Sequence, residues 1–77
     1  MQWNYRILAH KYNDDVYFKV HEVYYKNKIP NSYTSEGVTV MGDNLKEIKW
    51  ALKQMKKGTK KPILCAGEKF PQKFKKR

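Results

Sequence analysis

Cysteine is almost missing from this chain: Cys65 stands alone among 77 residues. No disulfide can close within one copy, which suits a reducing compartment. Histidine is scarce too, with only His10 and His21. One thiol and two distant imidazoles do not make a zinc ligand set. The four glycines are scattered, so no glycine-rich phosphate loop is present. No apolar run approaches the roughly 20 residues of a membrane span. The opening MQWNYRILAHKYNDD has no basic start followed by an apolar segment, so no leader peptide is expected. These absences lead to the expectation of a cytoplasmic protein with no membrane, metal or cofactor partner. Catalytic groupings are equally thin. Cys65, within ILCA, suits packing as a small apolar residue better than attack as a nucleophile. His21 and Glu22 are neighbours, and on a regular strand neighbours point to opposite faces. The expectation is a protein that is not an enzyme.

What the chain has is aromatics and positive charge. Two Trp, six Tyr and three Phe can fill a small core, because each ring buries a large area. Seventy-seven residues make one domain near the lower limit for a self-sufficient core. The net charge of +10 is unevenly placed. Residues 1–44 hold five bases and five acids, whereas residues 45–77 hold twelve bases and two acids. Such a bias predicts a polyanionic partner, either nucleic acid or an acidic protein surface; the bland alternative is a solvated lysine face.

Residues Trp3 to His10 alternate, with Trp3, Tyr5, Ile7 and Ala9 on one face and Asn4, Arg6, Leu8 and His10 on the other. Val16 to Tyr25 reads as a long second strand. Its apolar phase shifts from Val16, Phe18 and Val20 to Val23 and Tyr25, which predicts either a β-bulge near His21–Glu22 or a strand apolar on both faces at one end. Lys26 to Ser32 reads as a turn and Tyr33 to Met41 as a third strand. Asn44 and Glu47 then form a capping-box pattern, and Gly58 is placed just past the helix end. Lys61 to Ala66 reads as a brief fourth strand, starting at or edged by Pro62. The expected fold is a two-layer α+β domain, β-β-β-α-β, with an antiparallel meander and one amphipathic helix on one face. Residues 1–66 form the domain, and residues 67–77 a flexible basic tail.

Several short stretches carry a resemblance. WNYR, VHEVYY, SYTSEGVTV, GDNLKEI and KKPIL together resemble a group of small bacterial proteins with WNYR, HEVYY and KPVL-like motifs. The group implies no particular activity, and its helix is usually acid-rich where this one is rich in lysine. The order β-β-β-α-β, with Gly42-Asp43-Asn44-Leu45-Lys46-Glu47 at the helix start, also resembles HicB-type antitoxins, which have a partial RNase H-like domain. The DNA-binding extension that many of them carry is not expected in these residues.

The helix poses the main question. At 100° per residue, Leu45, Ile48, Ala51, Leu52 and Met55 form the expected buried stripe. Lys46, Trp50, Lys53 and Lys57 form a second stripe roughly opposite. A tryptophan among lysines offers a stacking plane beside positive charge. Cover by the C-terminal segment or by lysine stems would instead make it internal packing. Lys60, Lys61, Lys69, Lys73, Lys75, Lys76 and Arg77 extend the candidate surface into the tail. With fifteen Lys and two Arg, the expected contact is to the phosphate backbone, with little sequence preference. A protein-interaction module, either a HicB-like regulator or a phage-type inhibitor binding an acidic partner, is the alternative. The sequence does not set the oligomeric state.

Overall fold

The computed structural model describes residues 2–75; the candidate residues Lys76 and Arg77, like Met1, lie outside them. Strands β1 (Gln2–Tyr12) and β2 (Asp15–Lys26) form a long antiparallel hairpin, paired from Gln2↔Tyr25 to Tyr12↔Asp15. Its turn uses Asn13 at φ 55°, a left-handed conformation that asparagine tolerates well. Strand β3 (Ile29–Tyr33) returns along β2, helix α1 (Leu45–Gly58) crosses over, and β4 (Leu64–Cys65) adds in parallel beside β1. The sheet order is β3-β2-β1-β4. The result is the small α+β fold expected, with a mixed sheet because the crossover makes its last strand parallel.

The third strand lies earlier than its pattern implied. Asn27 and Lys28 both take positive φ, 53° and 67°. That is the tight-hairpin pattern, and it lets the chain reverse in two residues. Strand pairing therefore begins at Ile29 and ends at Tyr33. Val38 and Val40 lie outside any strand, although Val38 N–H still donates to Val20 C=O at 2.9 Å.

No bulge interrupts β1–β2; the irregularity falls instead in the β2–β3 pairing, between Tyr24 and Tyr25. The phase shift in β2 has another cause: both faces of the sheet are partly covered. On one face Leu8, Val23 and Leu64 form the dry core, closed by Tyr25, Tyr33, Ala66 and Phe70. On the other, Phe18 meets Phe74 edge-on at 5.7 Å between ring centroids.

Among the described residues, 66–74 are thus packed rather than a free tail from residue 67. Gly67–Lys69 form a 3₁₀ turn, and Gly67 N–H donates to the Tyr33 hydroxyl at 2.7 Å. Cys65 N–H donates to Gln72 C=O, and Phe74 N–H to Ile63 C=O. Phe70 and Phe74 do the anchoring, one toward each face.

The helix start follows the sequence. Asn44 Oδ1 accepts from Glu47 N–H at 3.0 Å, and Glu47 Oε1 accepts from Asp43 N–H at 3.0 Å. Its end does not. Gly58 is the last helical residue, and Thr59 caps the helix through its hydroxyl on Lys56 C=O. Gly58 serves a close approach: a Cβ there would overlap the Tyr5 carbonyl oxygen of β1.

This contact rotates the helix from the expected orientation. Ala51 and Gly58 are its buried residues, with Ile48, Gln54 and Met55 half-buried. Leu45 is 72% exposed and Leu52 51%. On the wheel the buried centre moves by about 60° from the expected stripe. Two small residues seven apart let the helix lie closer to β1 than leucines would. Leu45 and Leu52 are left on one flank and Trp50 on the other.

Candidate nucleic-acid interface

Trp50 is 54% exposed, so neither the C-terminal segment nor the lysine stems cover it. The helix rotation places it at the boundary between helix and sheet, with a groove on each side. One groove, of about 450 Å³, has Tyr5, Met41 and Ala51 along it and Lys46 and Glu47 at its rim. The other, of about 370 Å³, runs between Trp50 and Trp3, with Gln54, Lys57 and Lys61 beside them. Tyr5 lies in both grooves and stacks edge-on against Trp3, at 5.2 Å and 89°. Strand alternation puts Trp3 and Tyr5 on the same face of β1, and Trp3 remains 43% exposed. Three aromatic rings thus line a surface edged by Lys46, Lys57 and Lys61.

The remaining candidate lysines do not all join this surface. Lys53 and Lys60 are exposed but border neither groove. Lys69 belongs to the 3₁₀ turn that helps close the other face of the sheet. Lys73 bridges to Leu64 at the edge beyond β4, and Lys75 follows it, exposed. The expected stripe from helix to tail therefore divides, and only its helix end meets the aromatics.

Electrostatics distinguishes the two sides of β1. Tyr5 pairs with Glu22 across the strands, and its phenol is pushed above the ordinary range by burial and then by the Glu22 carboxylate. On the opposite side stands a histidine pair. His21 is fully buried, and its Nδ1 lies 2.9 Å from Thr34 C=O. A carbonyl only accepts, so Nδ1 carries the proton and His21 Nε2 is left as an acceptor. His10 Nε2 lies 2.9 Å from it and must donate. His10 also stacks on Tyr17 at 5.1 Å. Burial, then the nearby Lys19 ammonium, lowers the His10 pKa. Burial lowers that of His21 as well, against the raising effect of the Thr34 hydrogen bond and with His10 and Lys19 as smaller lowering causes.

The sequence reading missed this pair because it depends on register. His10 pairs with Tyr17 and His21 with Arg6, so the two residues share a face four positions out of register, and their rings meet by leaning toward each other along the strands. Trp3 and Tyr5 were legible as a strand face, but their exposure depends on how closely the helix docks. Among the described residues, no three His, Cys, Asp or Glu side chains group to hold a metal ion, and no helix is long and apolar enough to cross a membrane. No protein-family model, curated protein or solved structure matches the chain in the comparisons made.

Proposed function

We propose that this protein binds single-stranded nucleic acid, with bases stacking on Trp50 and Trp3 and phosphates held by Lys46, Lys57 and Lys61. The observation that carries this reading is the exposed Trp50 between two grooves with a lysine on each side. Stacking on an aromatic ring tolerates any base, and lysine meets phosphate as a point charge. The binding is therefore nonspecific in sequence. Neutralising about three phosphates gives a slope of log K against log salt near −2 for single strands. Trp50→Ala loses about 1–3 kcal/mol of binding with little change in that slope. Lys57→Ala weakens binding to all sequences and flattens the slope by about 0.7. Titration of an oligonucleotide against tryptophan fluorescence tests both. No binding of any nucleic acid at about 50 mM salt overturns the reading.

A second reading rests on a different surface. Val40, Leu45 and Leu52 are exposed apolar side chains, the two leucines on the helix flank away from Trp50. An apolar flank beside a lysine face suits a protein partner with acidic groups around an apolar centre. This is the form in which a HicB-like or inhibitor-like regulatory role is retained. Leu45→Glu should abolish such an interaction and leave oligonucleotide binding intact.

A further inference from the structure

Arg6 is unusual among the basic residues. It is 8% exposed, whereas every described lysine is exposed. Its guanidinium donates to the Tyr25 hydroxyl at 2.7 Å and to Pro62 C=O at 2.8 Å. Both acceptors are neutral, and Nε has no partner at all. A buried cation is costly without a counter-charge. Arg6 lines a cavity of about 550 Å³ together with Trp3, Tyr25, Lys28 and Lys61. Gln2 and Asn4 complete the lining, so the cavity holds three cations and no carboxylate.

Lys28 brings a second cation to this cavity from the β2–β3 turn. It stands at φ 67°, as the second central residue of that two-residue turn requires, where glycine is the usual residue. Trp3, Asn4 and Lys61 also line the groove of Trp50, so the cavity continues directly from the aromatic surface.

We propose that this cavity is the seat of a terminal phosphate: Arg6, Lys28 and Lys61 hold the phosphomonoester at the end of a single strand whose bases continue over Trp3 and Trp50. Three cations suit the dianion of a monoester better than the single charge of a diester. The inference rests on the single-strand reading and adds to it a preference for phosphorylated ends.

The test is a set of short oligothymidylates with a 5′-phosphate, a 3′-phosphate or hydroxyls at both ends, titrated against the full chain. One phosphorylated form should bind at least tenfold more tightly than the hydroxyl-ended strand. Lys28→Gly should remove that preference, leave the hydroxyl-ended affinity unchanged and keep or raise the melting temperature, because glycine relaxes the turn. Arg6→Lys should lose most of the preference while retaining a positive charge. Equal binding of all three strands overturns the phosphate seat and leaves the single-strand reading standing. A preference that survives Lys28→Gly also overturns the seat as placed. Binding of none of the strands overturns both.

Discussion

The two faces of β1 differ in how they are closed. The face with Leu8 is sealed by the chain itself: Leu8 and Val23 are fully buried, and Phe70, Tyr33 and Ala66 lie over them. The face with Trp3 and Tyr5 is covered by a helix that makes its closest approach through Gly58. There Trp3 and Trp50 stay about half exposed. The sealed face uses mixed aliphatic and aromatic packing with hydrogen bonds from the C-terminal segment. The open face keeps its large rings at the surface with lysines around them. On the proposed reading, base stacking belongs to the open side and the main core to the sealed side, with the Arg6 seat at one end of the sealed side. Leu8 borders neither the grooves nor that seat, so its truncation should change stability and leave the affinity of the folded chain nearly untouched.

The largest effect should come from breaking the sealed face. Leu8→Ala should cost about 2–5 kcal/mol, a large share of a small domain's stability. Urea unfolding checks it; a midpoint like that of the unaltered chain would show that Leu8 is not the centre of the core. Gly58→Ala sharpens the same comparison on the open face. Within a helix, glycine to alanine ordinarily stabilises by about 1 kcal/mol. Here the added methyl meets the Tyr5 carbonyl, and overpacking of this kind costs about 1–3 kcal/mol. The net sign should therefore be destabilising. Stabilisation instead would mean that the helix can lift from β1 at no cost.

How much of this was legible in the sequence depends on whether a feature is local. The capping box at Asn44 and Glu47 is local, and it forms within one residue of the expected pattern. Element order and type followed from alternation and helical period. The position of β3 did not, because neither Asn27 nor Lys28 is the glycine that usually signals a two-residue turn. Helix rotation was missed for a related reason. Periodicity weights leucine heavily, whereas docking here is decided by how small Ala51 and Gly58 are. The C-terminal segment has no period, yet Phe70 and Phe74 each find a face of the sheet. The Arg6 cavity unites β1, β2, the β2–β3 turn and the segment before β4, so no single stretch reveals it.

A smaller effect should come from pH, again confined to the sealed face. His10 and His21 both titrate below their ordinary value near 6.5, mainly through burial. The unfolded chain therefore takes up more protons than the folded one as pH falls through that value. Stability from this pair is fully present above about pH 6.5 and is lost between there and the lowered folded pKa values. The first proton can sit on His10 Nδ1 without breaking the Nε2–Nε2 hydrogen bond. A second proton, on His21 Nε2, removes the acceptor. The rings belong to one coupled pair, with Lys19 the nearby cation and Tyr17, Tyr33 and Thr34 the remaining contacts. Urea midpoints at pH 7.5 and below 6.5 should differ, and His21→Phe should flatten the difference. A profile unchanged by that substitution would assign the pH dependence to other groups.

The smallest effect should be that of Leu52→Ala, and it tests the helix rotation most directly. Were Leu52 in the buried stripe that periodicity implies, its truncation would cost about 2–5 kcal/mol. At 51% exposure most of its side chain already meets water, little cavity can form, and alanine is the better helix former. The cost should be under about 1 kcal/mol. Ile48→Ala, four residues earlier on the half-buried side, should cost more, because its side chain packs toward Gly42. The ratio of the two is the informative quantity, since both remove branched aliphatic bulk from one helix and share its unfolded state. A larger loss at Leu52 than at Ile48 would rotate the helix back. Trp50 would then stand opposite the sheet, and the two grooves on which the proposed binding surface rests would no longer exist.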